Sequence, residues 1–581
     1  MRGHRRRARW RPAFVLLSVL VLAGVFLVRL TDVQVVRADA LRTASKDRRS
    51  ITAVLPGPRG EIVAAGGTVL AATVTRYEIT AVPWIAAKGG HVAADAARIA
   101  TALGVDAGPI TTALTAHPKA SYAMLAKQVT FSSLQRVKAL RLGWLYFSAT
   151  SKRTYPAGAV AGNLVGFVGS DGTPLAGVER SDDTCLAGTD GRSVAESGLD
   201  GTPIPGTAAT LRAAKPGGTV ALTIDRDLQY YAQQVLAQQA RQTGAAWGSV
   251  VVEEVKTGKL LTVADWPTVD PNQVSATAKT DAAALGSRSF TAPYEPGSTM
   301  KALTASMLLD SGVATPSSHV VAPFRLRTAS GADINDSEAH GDERLTLTGV
   351  LVQSSNTGIS QLGSRIPDAK RLAYLKAFGF GSRTAVGFGA EAGGSFGAAA
   401  PNWDPQTHYA TMFGQGLTVS AVQMASAYQT VANGGVRLPV RLVDSCTKAD
   451  GTVQRVTNGS PTRVISAAAA RSTVSMLENV ATKGWLASDV TIPGYRIGIK
   501  TGTAQEVDSS GGYSKNYLVS MAGVAPADDP KYVVYVALSQ PTKMNTSQAT
   551  APIWRQVMAR ALQAGGVVPS GSTSPDLPAS W

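Results

Sequence analysis

The segment Pro296-Gly-Ser-Thr-Met-Lys301, with the apolar run at residues 302–309 behind it, decides how this sequence is interpreted. The run predicts a helix, and the spacing of Ser298 and Lys301 would place both side chains on one helical face. Free backbone N–H groups in a first turn would stabilise a developing alkoxide on Ser298. A buried lysine with a lowered pKa can be the base that a serine nucleophile needs. The alternative is a capping serine beside a solvent-facing lysine, and the same spacing recurs at Ser445-Cys-Thr-Lys448, in a predicted surface loop.

A second group of polar side chains is Ser354-Ser-Asn356, which follows the apolar pair Leu351-Val352 and precedes a predicted helix. A hydroxyl and an amide on one turn can both point into one cleft. Ser354 could pass a proton between a lysine and a leaving amine, and Asn356 could hold a substrate amide. The same composition is typical of an ordinary turn or helix cap.

The third group is Lys500-Thr-Gly-Thr503, at the end of an extended stretch that predicts a strand. Gly502 would allow a substrate backbone to lie against this strand. Lys500 and the hydroxyls of Thr501 and Thr503 could bind a carboxylate. The backbone N–H groups of Thr503 and Ser298 could form an oxyanion hole. Each group is common by chance, but their succession on a helix start, a turn and a late strand favours a single active site.

The amino-terminal region combines positive charge with an apolar run. Arginines are concentrated in residues 1–11, and an uncharged run at 13–28 ends at Arg29. A basic block beside a hydrophobic run predicts a membrane anchor whose amino end stays in the cytoplasm, rather than a nucleic-acid-binding arm. A cleaved signal peptide is the alternative, but the possible site Ala38-Asp-Ala40 lies too far beyond the run and past charged residues. We therefore expect an uncleaved single-pass anchor with the rest of the chain outside the cytoplasm.

The composition is that of a folded chain of several domains. The 581 residues include 56 Lys and Arg against 40 Asp and Glu, a net charge of +16, and 44% are hydrophobic. These values exclude a mainly disordered chain and a multi-span membrane protein. The two cysteines, Cys185 and Cys446, exclude a disulfide framework and a cysteine-rich zinc module, and the sequence leaves their pairing open.

Periodicity predicts a mixed α+β chain. The predicted elements are helices at 93–103, 131–142 and 225–241, strands at 76–82, 219–224, 249–255 and 260–264, and a last strand pair near 496–505 and 531–538. Asp225 is the expected N-cap of the third helix. Because strands stand at both ends of the second half, around a helical block, we expect a sheet built from both ends and covered by helices.

With these motifs in place, the sequence resembles the class B, or monofunctional, penicillin-binding proteins over roughly residues 30–563. The stretches that resemble the catalytic domain are Tyr294-Glu-Pro-Gly-Ser-Thr-Met-Lys301, Lys500-Thr-Gly-Thr-Ala-Gln505, Leu222-Thr-Ile-Asp225, Trp266-Pro267, Gly414-Gln-Gly416 and Ala432-Asn-Gly434. Those that resemble the non-catalytic domain are Arg59-Gly60 and Arg153-Thr-Tyr-Pro156. The chain departs from the family at Ile499, where glycine is common, and at 62–67, which lacks the usual Asp-Arg-Asn-Gly.

The resemblance implies a β-lactamase-like fold, with an antiparallel sheet flanked by helices, preceded by an elongated α+β pedestal. The implied organisation is a cytoplasmic tail (1–12), a transmembrane anchor (13–30), a pedestal or dimerisation domain (31–215), a transpeptidase domain (216–563) and a flexible tail (564–581). It also implies D,D-transpeptidation of peptidoglycan stem peptides, with Ser298 as nucleophile and Lys301 as base. Inhibition by β-lactams and a membrane glycosyltransferase partner are expected, with no metal or organic cofactor and no nucleic acid. A role in cell division, cell shape or sporulation is left open.

Three other functions are weighed against this interpretation. A serine β-lactamase would share the motifs, but the Glu-x-x-Leu-Asn context that its common class uses for deacylation is not found between Asn356 and Lys500. A catalytically weak or inactive penicillin-binding sensor or scaffold is the main alternative, although a sensor would need a larger cytoplasmic segment. An α/β-hydrolase is suggested only by Gly393-Gly-Ser-Phe-Gly397, which no predicted strand precedes.

Overall fold

The structure is a computed structural model that describes residues 10–198, 204, 207–397, 400–456, 459–507 and 512–581. The predicted cytoplasmic tail, 1–12, therefore lies outside the described residues except at its end. The first element is the helix Trp10–Thr31, followed by a π-helical turn, Asp32–Val36. The helix is about 33 Å long at 1.5 Å per residue, and no residue in it is buried. Its length and apolar character suit a single membrane crossing, as predicted.

The chain forms two compact units, and the first comprises the residues up to Pro58 together with Val74–Lys152 and Gly188–Pro216. One of its sheets joins Ser50–Leu55, Gly191–Glu196 and Ala209–Arg212 in antiparallel order. It also contains the helices Ala38–Arg49, Pro83–Lys88, Val92–Leu103, Ala107–Thr115 and Phe131–Lys138, the strand Ala123–Val129, and most of Val69–Ala81 and Leu145–Thr154. Ile79, Ile99 and Val137 are fully buried in its core, which confirms the two helices and the strand predicted from periodicity here.

The second unit comprises Arg59–Thr73, Arg153–Ala187 and Gly217–Trp581, and a five-stranded antiparallel sheet runs through its centre. The strands lie in the order Leu260–Trp266, Trp247–Glu254, Tyr532–Ser539, Tyr513–Ala525 and Gly498–Val507. The sheet is thus built from two segments far apart in sequence, as predicted. The last of these strands, which we call the lysine strand, forms one edge of the sheet.

Helices cover both faces of this sheet. The longer helices of the second unit are Arg226–Thr243, Met300–Asp310, Leu347–Gln353, Asn356–Gly363, Asp368–Ala377, Pro405–Phe413, Ala421–Ala432, Ala467–Lys483 and Ala551–Ala564. The short helices and turns are Gly162–Val165, Gly177–Ser181, Asp183–Leu186, Val274–Thr280, Ala282–Leu285, Arg288–Thr291, Gly297–Thr299, Ala487–Val490 and Ser547–Thr550. The smaller strands are Ile62–Val63, Thr219–Leu222, His319–Ala322, Arg325–Arg327, Asp333–Asn335, Glu343–Thr346, Val436–Arg437, Val443–Thr447, Val453–Arg455 and Thr462–Arg463. Asp225 caps the first long helix by accepting the N–H groups of Asp227 and Leu228, as predicted.

Two of the sequence patterns were interpreted wrongly. The two last strands predicted from the sequence are not paired with each other. A third strand, Tyr513–Ala525, lies between them and pairs with both Gly498–Val507 and Tyr532–Ser539. Its small residues, such as Ala522 and Gly523, give it a weak strand pattern, and its pairing rather than its propensity makes it a strand. The second copy of the serine–lysine spacing does not lie wholly in a loop, because Ser445 belongs to the strand Val443–Thr447 and Lys448 directly follows it.

Buried charges and a disulfide join distant parts of the second unit. Glu179, with no exposed surface, accepts hydrogen bonds from Arg59 and Arg153, so the two segments before residue 188 belong to this unit. Cys185 and Cys446 form a disulfide across a sequence separation of 261 residues, which resolves the open question of their pairing.

The flexible tail expected after residue 563 is also wrong. The helix Ala551–Ala564 does end there, but the residues beyond it pack along the unit. Leu577 donates its N–H to Asn479, and Thr346 donates its hydroxyl to the carbonyl of Pro578. Backbone hydrogen bonds of this kind are not visible in a sequence rich in glycine, serine and proline, which is why the composition suggested a loose end.

Candidate active site

Ser298 lies in the turn Gly297–Thr299, which we call the serine turn. It leads directly into the helix Met300–Asp310, which we call the serine helix. Gly297 has a φ of +57°, and a Cβ there would come within 2.7 Å of the Thr503 carbonyl oxygen. Only glycine fits such a position, so the turn packs closely on the lysine strand. Ser298 itself is half-buried, with its backbone N–H at the start of the helix.

Lys301 points into the interior, where its side chain has no exposed surface. Its Nζ donates to the carbonyl oxygen of Ser354 and, at 3.3 Å, to the Ser354 hydroxyl. Burial lowers the pKa of Lys301 to about 7, and the Asp336 carboxylate acts in the opposite direction. Near neutral pH a large part of this amine is therefore unprotonated and can accept a proton.

Ser354 caps the short helix Leu347–Gln353, which we call the Ser354 helix. The residue has a left-handed backbone, with φ +58° and ψ +33°. This conformation is uncommon for a side chain with a Cβ, and it turns the Ser354 hydroxyl toward both lysines. The hydroxyl accepts from Lys500 Nζ at 2.9 Å as well as from Lys301 Nζ at 3.3 Å. The turn therefore joins the serine helix to the lysine strand.

Lys500 is as deeply buried as Lys301. Besides Ser354, its Nζ contacts its own neighbour, the carbonyl oxygen of Thr501 at 3.1 Å. Burial holds the pKa of Lys500 well below its usual range, and the positive charge of Lys301 lowers it further. The structure thus brings Lys301, Ser354 and Lys500 into one hydrogen-bonded group, which does not include the hydroxyl of Ser298.

Thr501 and Thr503 occupy alternate positions of the lysine strand, and Thr503 is exposed. Gly502 between them faces the protein. A Cβ at Gly502 would come within 2.3 Å of Ser520 Oγ and 3.0 Å of the Pro296 carbonyl oxygen. The glycine is thus required by the packing of the serine turn and the neighbouring strand. The expectation that Gly502 lets a substrate backbone lie against the strand stays a prediction beside this packing requirement.

Asp336, which the sequence interpretation missed, organises the turn after Ser354. Its carboxylate accepts the N–H of Asn356 at 2.5 Å, the N–H of Thr357 at 3.0 Å and the hydroxyl of Ser355 at 2.7 Å. These bonds cap the helix Asn356–Gly363 from outside its own chain segment. Asp336 follows a short strand, and it caps a helix that begins 20 residues further along the chain. No sequence motif links two such positions, so spacing alone could not have identified Asp336.

Asn356 begins this helix, and its side-chain amide donates to the carbonyl oxygen of Asn335 at 2.8 Å. The amide is therefore held by the end of the strand Asp333–Asn335, which Asp336 directly follows. Asn356 is half-buried, at the same turn as Ser354, and its role in holding a substrate amide stays a prediction.

This site combines a buried lysine beside a serine turn, a bridging hydroxyl, and a second lysine on an edge strand. That combination is typical of the serine acyltransferases that react with penicillin. In agreement, residues 248–559 match the family model of the penicillin-binding protein transpeptidase domain. Residues 54–222 match the penicillin-binding protein dimerisation domain. The chain therefore belongs to the penicillin-binding proteins and is a transpeptidase of this family.

Relatives of the chain agree with this assignment over nearly its full length. The penicillin-binding protein PbpB of Mycolicibacterium smegmatis is 33% identical, with 97% of this chain and 91% of that protein covered. The peptidoglycan D,D-transpeptidase FtsI of Escherichia coli is 31% identical, with 98% and 94% covered. A crystal structure of penicillin-binding protein 3 from Mycobacterium tuberculosis in complex with ampicillin is 28% identical, with a TM-score of 0.71 and coverage of 91% and 100%.

Proposed function

We propose that this chain cross-links peptidoglycan stem peptides by D,D-transpeptidation through an acyl-enzyme on Ser298. The observation that carries the proposal is the Ser354 hydroxyl, which lies within hydrogen-bond distance of the two buried lysines, Lys301 and Lys500. These contacts between side chains of three motifs far apart in the chain support a single active site beside the lysine strand. FtsI of Escherichia coli, a similar protein, is named a peptidoglycan D,D-transpeptidase.

Acylation begins with proton transfer from Ser298 Oγ to the unprotonated Nζ of Lys301. The oxygen then attacks the carbonyl carbon of the D-Ala–D-Ala amide, and the negative charge moves to the carbonyl oxygen. The backbone N–H groups of Ser298 and Thr503 would stabilise that oxygen as an oxyanion hole. The lowered pKa of Lys301, about 7, supports its role as the base at neutral pH.

Departure of D-Ala needs a proton on its amine. The Ser354 hydroxyl, which contacts Lys301 Nζ, can give its proton to the leaving amine and take one from the lysine. The amine of a neighbouring stem peptide then attacks the acyl-enzyme, gives up a proton by the reverse route and releases Ser298. The half-buried Asn356 is assigned to hold an amide of the donor peptide.

The lysine strand supplies the recognition surface. It forms the sheet edge, so an extended peptide can add beside it and pair with its backbone. The terminal carboxylate of the donor would lie near Lys500 and the hydroxyls of Thr501 and Thr503. A β-lactam has the same carboxylate and a strained amide, and it would acylate Ser298 in the same way. Ampicillin in the similar Mycobacterium tuberculosis protein supports this part of the proposal.

The proposed location is the outer face of the cell membrane, with the amino terminus in the cytoplasm. The arginine-rich start of the chain next to the helix Trp10–Thr31 supports this orientation. The Cys185–Cys446 disulfide supports it as well, because such bonds persist outside the reducing cytoplasm. A membrane glycosyltransferase is the proposed partner, since the chain would act on glycan strands that such an enzyme supplies.

The experiment is labelling of the full-length protein in detergent by a fluorescent penicillin. We expect one label per chain, lost in Ser298→Ala and retained in Ser445→Ala, the matched serine of the second Ser-x-x-Lys spacing. Unlabelled protein should release D-Ala from a stem-peptide substrate, and protein already labelled at Ser298 should not. Full labelling of Ser298→Ala would refute the assignment, and labelling without any turnover of stem peptides would favour the inactive-scaffold alternative.

A further inference from the structure

The residues after the last helix, 567–581, form a C-terminal strap that runs along the unit containing the active site. It starts beside the loop that precedes the lysine strand, where the Tyr495 hydroxyl donates to the carbonyl oxygen of Val567 at 2.6 Å. Ser570 next donates its N–H to the carbonyl oxygen of Gly494 at 2.9 Å. A chain end without contacts would fray, so these bonds are informative about its role.

The middle of the C-terminal strap is held by a buried side chain of the helix Ala467–Lys483. Asn479 has no exposed surface, and its amide donates to the carbonyl oxygen of Pro575 at 2.9 Å. Its side-chain oxygen accepts the N–H of Leu577 at 3.0 Å. One amide thus pairs with both backbone groups of the passing chain, as a neighbouring strand would. This fixes the position of the strap along the helix.

The last four residues pair with the segment that begins the Ser354 helix. Thr346 donates its N–H to Ala579 at 3.1 Å and its hydroxyl to Pro578 at 2.6 Å. The Trp581 ring stacks on His319 at 4.4 Å, and the Arg344 guanidinium lies 5.0 Å from the ring centre. Stacking and cation–π contacts of this kind order an otherwise exposed chain end.

Thr346 is also the N-cap of the Ser354 helix, because its hydroxyl oxygen accepts the N–H of Gly349 at 3.0 Å. Gly349 faces the strap so closely that a Cβ would lie 1.8 Å from the carbonyl oxygen of Ala579. The helix is only seven residues long, about 10 Å, and it ends at Ser354. A rigid element this short transmits a displacement of one end to the other.

We propose that the C-terminal strap positions the Ser354 hydroxyl between the two lysines by fixing the far end of the helix that ends at Ser354. The strap touches none of the reacting groups, so its residues are positioning residues. The inference rests on the proposed function, since it concerns the geometry of the same site. It assigns a role in the reaction to residues 578–581, which lie outside every recognised motif of the sequence.

The test compares full-length parent protein with a deletion of residues 578–581 and with Trp581→Ala. Trp581→Phe keeps a ring over His319, and Val568→Ala changes a strap residue that is 79% exposed, so both serve as matched controls. The second-order rate of acylation by a fluorescent penicillin is measured per titrated site, well below the melting temperature. Hydrogen exchange of the backbone amides of residues 349–353 is followed in parallel.

We expect the deletion and Trp581→Ala to lower the acylation rate per site about tenfold and to speed exchange in the Ser354 helix. Both controls should stay within about twofold of the parent. Gly349→Ala should slow acylation in the parent background but have little effect in the deletion, because the clash with the Ala579 oxygen is then gone.

A purely stabilising strap would reduce the number of titratable sites and leave the rate per site unchanged, and that result would overturn the proposal. Unaltered hydrogen exchange in the Ser354 helix of the deletion would overturn it too, whether or not the protein is acylated. If the parent protein binds no penicillin at Ser298, the proposed function is refuted instead. The hydrogen-exchange result can still be interpreted in that case, because it does not depend on penicillin binding.

Discussion

Lys301 and Lys500 share one hydrogen-bond acceptor, the hydroxyl oxygen of Ser354, at 3.3 and 2.9 Å. Two ammonium groups around one hydroxyl repel each other, so the site disfavours the doubly protonated state. Burial lowers the pKa of both lysines, and Lys301 lowers that of Lys500 further. At least one of the two lysines is therefore unprotonated in the favoured states of the site. That lysine can accept a proton from Ser354, which favours proton exchange through this hydroxyl.

The first prediction separates the Ser354 hydroxyl from its backbone conformation. Ser354→Ala and Ser354→Gly both remove the proton relay, and we expect each to slow turnover by about 100-fold or more. Because the residue has a φ of +58°, glycine relieves backbone strain that alanine keeps. Ser354→Gly should therefore be about 1 kcal/mol more stable than Ser354→Ala in chemical denaturation. Turnover that follows stability rather than the presence of the hydroxyl would contradict the relay role.

The second prediction concerns the pH dependence of acylation. Burial lowers the pKa of Lys301 to about 7, so the acylation rate should rise with pH and level off above about 7. The Asp336 carboxylate raises this pKa. Asp336→Asn removes that charge while keeping an acceptor for the N–H groups of Asn356 and Thr357, so the midpoint should move to lower pH. The measurement is the rate of labelling by penicillin between pH 5 and 9.

The control for this prediction is His340→Gln. The His340 ring contacts Oδ2 of Asp336 at 3.1 Å, and its replacement leaves the carboxylate in place. The midpoint should then stay close to that of the parent. A midpoint that rises in Asp336→Asn, or that does not move, would show that Lys301 is not the group that titrates.

Most residues of the candidate site could be predicted because they belong to short sequence motifs. Ser298, Lys301 and Lys500 each belong to a stretch whose composition also fixes a helix start or a strand. What the sequence could not give is the set of distances, since these depend on how the Ser354 helix packs between the other two elements. Asp336 was missed for the same reason, because its role is defined only by the turn that it contacts.

The fold was predicted less completely where pairing decides structure. The strand Tyr513–Ala525 pairs with two neighbours, is buried from Leu518 onward and shows no clean alternation, so it was not anticipated. The end of the chain was expected to be loose on composition alone, although Asn479 and Thr346 hold its backbone. In both places, contacts remote in sequence supply the stabilisation that local propensity lacks.

The third prediction tests why residue 502 is a glycine. Gly502→Ala would place a Cβ 2.3 Å from Ser520 Oγ and 3.0 Å from the Pro296 carbonyl oxygen. We expect a loss of about 1–3 kcal/mol in unfolding free energy, together with slower acylation because the serine turn is pushed away. Ser520→Ala should restore part of both losses, since it removes the closest contact. Gly286→Ala is the matched control, with no atom within 4 Å of its added Cβ.

The contrary result for Gly502 is equally specific. If Gly502→Ala keeps its stability and its acylation rate by β-lactams but loses activity on stem peptides, the glycine makes room for the substrate backbone. That outcome would support the interpretation drawn from the sequence, and it would show that the lysine strand can shift away from Pro296.

The last prediction concerns the Cys185–Cys446 disulfide, which closes a stretch of 261 residues. Cys185→Ser and Cys446→Ser should each lower the unfolding free energy by about 2–5 kcal/mol, because the unfolded chain regains the freedom that the bond removed. The double variant should be no less stable than either single one, since the bond is already lost after the first substitution. A reductant should lower the melting temperature of the parent and leave that of the variants unchanged. Two free thiols in protein purified from membranes would contradict the bond and would remove one support for a catalytic unit outside the cytoplasm.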